Sequence, residues 1–145
     1  MSTWLAPLRM MLDRTVQPTI FFFRDDDAGW ADERLRRLVE IFDRRAVPLD
    51  LAAIPAALGA DLAAWLLTRR RRGSLGIHMH GYCHANHQAV GRKCEFGDAR
   101  SPTEQWRDLE AGQRRLQRLL GHALDPIFTP PWNRCTQATA DCLAW

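Results

Sequence analysis

Apolar residues fall into four short runs separated by stretches with helical periodicity. The first run, Ile20-Phe21-Phe22-Phe23, is continuous rather than alternating, as expected of a strand buried on both faces. Leu35, Leu38, Val39 and Phe42 then follow the i, i+3, i+4, i+7 spacing of a helix with one buried stripe. Leu49 to Ile54 reads as a second strand stopped by Pro55. Residues 58 to 72 read as a helix with Leu62, Trp65 and Leu66 inward and four arginines at its C-terminal end. Leu75 to Met79 is the third predicted strand, followed by a polar loop to Arg100. Ser101-Pro102-Thr103-Glu104 then supplies an N-cap, a proline at N1 and a reciprocal glutamate at N3. The helix it starts carries Trp106, Leu109, Leu116 and Leu120 inward and ends at Gly121. Ile127-Phe128 is a short fourth strand broken by Pro130 and Pro131, and another helix starts near Thr136.

The order βαβαβαβ predicts a parallel sheet with right-handed crossovers, either open and doubly wound or part of a (β/α) barrel. Both architectures gather chemistry where the strands end. The first strand runs into Arg24-Asp25-Asp26-Asp27. Three adjacent carboxylates repel one another, which a cation would relieve; the alternative is a solvated acidic turn at the start of a helix. The third strand runs into "HMHGYCHANH", which holds four of the chain's five histidines. His80 and His84 are four apart, so one helical turn would bring both rings to a common point, and neutral imidazole is a usual zinc ligand. His78 reads as a core histidine and His87 as a loop residue. The fourth strand runs into Thr129-Pro130-Pro131-Trp132-Asn133-Arg134, either a wall on which a sugar could stack or a rigid turn closing the core. One acidic cluster and two histidines suffice for an Asp-His-His site with an open position, the catalytic rather than the structural zinc pattern.

Composition narrows the setting. At 145 residues and 46% hydrophobic, the chain is long enough for one core. A net charge of +3 is too small to argue for nucleic acid, and Arg69 to Arg72 has no aromatic platform beside it. The N-terminal segment reads as a short amphipathic lead-in helix ending near Pro18, neither secretory signal nor membrane span. Cys83, Cys94, Cys135 and Cys142 form no CxxC pair and read as reduced. These features predict a cytoplasmic protein without nucleic-acid or membrane partners.

"FRDDDAG", "HGYCH" and "TPPWNR", in that order and at successive strand ends, resemble the first three motifs of the polysaccharide deacetylases (NodB homology, carbohydrate esterase family 4). With "GRKCEFG", the set resembles a bacterial subgroup of predicted deacetylases. The resemblance spans about residues 20 to 134. It implies an α/β fold, a partial (β/α) barrel of the glycoside hydrolase/deacetylase type with about four parallel strands. It also implies a divalent metal, most often zinc, held by Asp27, His80 and His84. Asp26 is implied as general base, with Asp25 and Asp26 as the fallback pair. The Trp132 N–H is implied as an aid to the oxyanion, and Arg134 as the candidate for the third motif's arginine. The substrate implied is an N- or O-acetylated carbohydrate.

Three departures stand out. Gly81 replaces the small hydroxyl residue usual after the first histidine, and Thr129 stands where arginine is common. Neither His87 nor His122 matches the histidine that serves the family as general acid. Residues 1–145 are therefore expected to form a single, C-terminally truncated deacetylase-like domain that self-associates through open sheet edges. Its activity would be impaired by the missing motifs, or absent, leaving a metal- or carbohydrate-binding remnant. A plain α/β domain with incidental histidines is the third reading.

Overall fold

The structure, a computed structural model, describes residues 3–71 and 74–144. A lead-in helix, α1 (Ala6–Asp13), precedes a repeating pattern. It runs β1 (Arg24–Ala28), α2 (Asp32–Arg44), β2 (Leu49–Ala53), α3 (Ala60–Arg70), β3 (Leu75–His80), α4 (Pro102–Leu120), β4 (Phe128–Thr129) and α5 (Gln137–Leu143). The strands pair in parallel in the order β1-β2-β3-β4. The result is a curled half-barrel with helices between its strands, the partial (β/α) barrel expected.

Burial explains why these segments hold together. Leu49, Leu51 and Ile77 point from the sheet into a helical layer that offers Leu35 and Val39 from α2, Leu62 and Leu66 from α3, and Leu109, Leu116 and Leu120 from α4. Helix α4 begins as the sequence requires: the Ser101 hydroxyl accepts the Glu104 N–H, and the Glu104 carboxylate accepts the Ser101 N–H at 2.7 Å.

Several boundaries differ from the sequence-based expectation. Ile20 to Phe23 is not a doubly buried strand: Ile20 is 93% and Phe22 76% exposed, and the strand starts at Arg24. The ladder begins only where the Phe23 carbonyl accepts the Asp50 N–H, so the residues before it lie outside the sheet. Among the described residues β1 has a strand on one side only, and the acidic triplet lies within it rather than after it.

Helix α3 is shorter than expected, and Arg72, placed at its end in the sequence reading, lies outside the described residues. Trp106 is 40% exposed rather than inward. Its neighbour Gln105 takes the buried position because its amide is fully used. Its nitrogen donates to the Gly97 and Arg100 carbonyls, and its oxygen accepts from the Thr139 hydroxyl.

Candidate metal centre

At the C-terminal end of β1 the register slips. Asp25 pairs with Leu51 but Ala28 with Ala53, so β1 carries one extra residue. This bulge puts Asp27 in a left-handed conformation (φ 65°) and breaks the strict alternation that would send Asp26 and Asp27 to opposite faces. β3 ends in His80, which is 1% exposed. The chain then turns back through Gly81 and His84, both with φ near +57°, to bring His84 over it. The two imidazoles meet, at a 5.1 Å centroid separation, through a left-handed loop and not through the helical turn the spacing suggested.

Asp27 Oδ1 lies 3.3 Å from His80 Nε2 and 3.2 Å from His84 Nε2. One ligand atom from each of the three side chains lies within 4.8 Å of the other two. These contacts do not have hydrogen-bond geometry: Asp27 Oδ1 and His84 Nδ1 are buried with no hydrogen-bond partner. The tautomer of His80 sharpens the point. Its Nδ1 is 3.0 Å from the Thr129 carbonyl oxygen, which can only accept, so Nδ1 carries the hydrogen and the neutral ring turns the Nε2 lone pair toward Asp27. Burial lowers the His80 pKa, outweighing the Thr129 hydrogen bond and nearby carboxylates that would raise it, so a bridging proton is disfavoured. Acceptors that face one another without a proton between them fit a cation. A metal-binding histidine that donates its other N–H to a backbone carbonyl is the usual arrangement. The donor set of one carboxylate oxygen and two imidazole nitrogens suits zinc.

Around this group, Trp30 and Trp132 flank the His84 ring at centroid distances of 4.7 and 4.3 Å. Trp132 has φ 55° on the turn after β4, its conformation set between Pro131 and Asn133. Asp26 is gripped by Arg24, whose Nε and a terminal nitrogen donate to its two oxygens at 2.7 and 3.1 Å. The same guanidinium donates to the Asn133 side-chain oxygen, Oδ1, at 3.1 Å, tying the end of β1 to the Trp132 turn. Asp25, one residue earlier on the strand, lines the same cleft as Asp26, Asp27 and Trp30. Burial, then repulsion by Asp26 and Asp27, raises its pKa above the ordinary carboxylate value.

The remaining histidines separate by place. His78 is buried against the Thr129 hydroxyl at 2.9 Å, as a core histidine should be, and burial lowers its pKa. His87 is exposed on the loop, and His122 sits in the 3-10 turn leading into β4, at the opposite end of the sheet from His80. Arg134 does not reach Asp26: it donates to the Lys93 carbonyl at 3.1 Å. The arginine on Asp26 is Arg24, to which the sequence reading gave no role. Its position two residues before Asp26 on a strand, hence on the same face, was the available signal. Trp30 and Glu95 were likewise passed over. Glu95 is fully buried and accepts the Cys83 N–H at 2.8 Å; burial, then Glu95 itself, pushes the Cys83 thiol up to about 11. All four cysteines are free.

The chain shares its fold with the carbohydrate esterase family 4 polysaccharide deacetylases. A family 4 pseudoenzyme from Bacillus anthracis superimposes with a TM-score of 0.67 at 16% identity, over 85% of this chain and 39% of that one. A Streptococcus mutans family 4 esterase gives 0.65 at 13% identity, over 96% and 56%. The Streptomyces lividans family 4 carbohydrate esterase, solved with acetate, gives 0.63 at 12% identity, over 85% and 56%. The chain thus spans about two fifths to just over half of these neighbours. Its sequence matches no protein-family model and no curated protein.

Proposed function

We propose that this chain belongs with the family 4 deacetylases and carries the metal-binding residues of a site that hydrolyses acetyl groups from carbohydrate. The observation that carries this reading is the convergence of Asp27, His80 and His84 at the C-terminal end of a half-barrel with the family's fold. A divalent cation such as zinc held there would polarise the acetyl carbonyl and lower the pKa of water bound beside it. Asp26 is the base that takes the water's proton. Its carboxylate is next in sequence to the ligand Asp27, and Arg24 holds it in a fixed orientation. Trp30 and Trp132 offer flat apolar faces on either side of His84, suited to a sugar ring. The Trp132 backbone N–H is the donor proposed for the developing oxyanion.

The experiment is an assay for acetate and free amine released from N-acetylglucosamine oligomers, run on protein loaded with zinc and on protein stripped by chelator. Turnover that depends on zinc and is lost in Asp27→Asn supports the reading. Turnover indifferent to chelation overturns it.

A second reading, binding without turnover, is favoured by the place of His122. None of the other histidines joins the three ligands: His78 is buried on the Thr129 hydroxyl, His87 is exposed on its loop, and His122 lies at the far end of the sheet. The similarity to a pseudoenzyme is consistent with it. Zinc binding with no acetate release from any acetylated sugar tested would establish it.

A further inference from the structure

Glu95 has no part in the mechanism above and no cationic partner among the described salt bridges, yet it is one of the most deeply buried side chains in the protein. Its carboxylate sits in the concave side of the turn that joins His80 to His84. Oε1 accepts the Cys83 N–H at 2.8 Å and the Cys83 S–H at 3.2 Å, and Oε2 accepts the Tyr82 N–H at 3.3 Å. Successive backbone N–H groups that follow a left-handed residue form a concavity suited to an anion, and Gly81, at φ 57°, opens this one. Gly81 is also where the chain departs from the resembling motif. A Cβ at that position would overlap Glu95 Oε2 and Pro131 Cγ, so a hydroxyl side chain and the Glu95 carboxylate exclude each other.

Glu95 is itself held on both sides. Phe96 is buried in the core with its ring edge-on to Phe128, and the Phe96 carbonyl accepts the Thr136 N–H at 3.1 Å. On the other side, the Cys94 N–H donates to Asn86 and the Cys94 carbonyl accepts the His87 N–H. A core-anchored carboxylate thus grips the backbone N–H groups of the two residues immediately before His84.

We infer that Glu95 is a positioning residue for the metal ligand His84, setting the left-handed turn that aims its ring at Asp27 and His80. This inference rests on the metal reading above. Partners of this indirect kind typically contribute about 10- to 100-fold in metal affinity.

The test titrates zinc into wild type, Glu95→Gln, Glu95→Asp and Leu66→Ala, with thermal unfolding of each. Glu95→Gln is nearly isosteric but sets an NH2 against the backbone donors, so its zinc Kd should rise about 10- to 100-fold. Glu95→Asp keeps both acceptors on a shorter arm and should recover part of that loss. Leu66→Ala removes core packing on α3, away from the turn and its carboxylate, so it lowers stability and should leave the Kd of the folded protein unchanged. An unchanged Kd in Glu95→Gln, or an equal loss in Leu66→Ala, overturns the inference. If wild type takes up no zinc, the metal reading fails separately. The His84 ring signals and the hydrogen exchange of the Tyr82 and Cys83 amides, read by NMR, then decide. Signals unchanged in both Glu95 variants overturn the positioning role; a moved His84 ring and faster amide exchange uphold it.

Discussion

Arg24 and Asp26 show how one side chain's chemistry depends on another's geometry. A carboxylate beside two others and a metal group has many orientations open to it. The two-pronged hold of the guanidinium selects one, and a lysine, a point charge, would not. Asp26→Asn should reduce acetate release about 10²- to 10⁴-fold while leaving zinc affinity intact, as expected for a base that is not a ligand. Arg24→Gln should reduce turnover in the same direction. Because Arg24 is proposed to act through Asp26, the double variant should be no slower than Asp26→Asn alone, which steady-state rates on the four proteins would reveal. Additive losses would assign Arg24 an independent role.

At the scale of the element, the strands' far ends carry stability rather than chemistry. Asp125, just before β4, accepts the Ile77 N–H and the two-pronged Arg70 guanidinium at 2.7 and 2.9 Å. Burial would raise its pKa, but Arg70 and the Ile77 N–H outweigh it and hold it below the ordinary carboxylate value. A folded-state pKa below the unfolded one means stability that is complete above about pH 4 and lost as pH falls through the lowered value. Asp125→Asn should therefore cost about 1–3 kcal/mol at pH 7, and its difference from wild type should shrink as thermal unfolding is followed toward pH 3. At the N-terminus of α4, Ser101→Ala should cost about 1 kcal/mol, read as a fall of about 3 °C in Tm.

Such elements were legible in the sequence to different degrees. The start of α4 was readable because its cap is local chemistry written in four residues. The pairing of His80 with His84 was readable as spacing, but the turn that achieves it depends on Glu95, eleven positions away. The bulge in β1 was not readable, because it depends on pairing with β2 and leaves no mark on the Asp triplet. Ile20 to Phe23 misled for the complementary reason: hydrophobicity records what a segment can bury, not whether a neighbour lies there to bury it.

At the scale of the whole molecule, β1 and β4 are the edges of the described sheet, and an exposed apolar run precedes β1. Unpaired edges and apolar patches of this kind promote association. Analytical ultracentrifugation should show association that grows with concentration and weakens in Phe22→Lys; a monomer throughout would argue against it. Among the described residues no helix is long and apolar enough to cross a membrane.

The account stands most directly on the metal. Calorimetric titration of the stripped chain with zinc should show one ion bound per chain, with affinity falling at least about 10-fold in each of Asp27→Asn, His80→Ala and His84→Ala. No zinc uptake by the wild-type chain, or uptake that His80→Ala leaves unchanged, would contradict it.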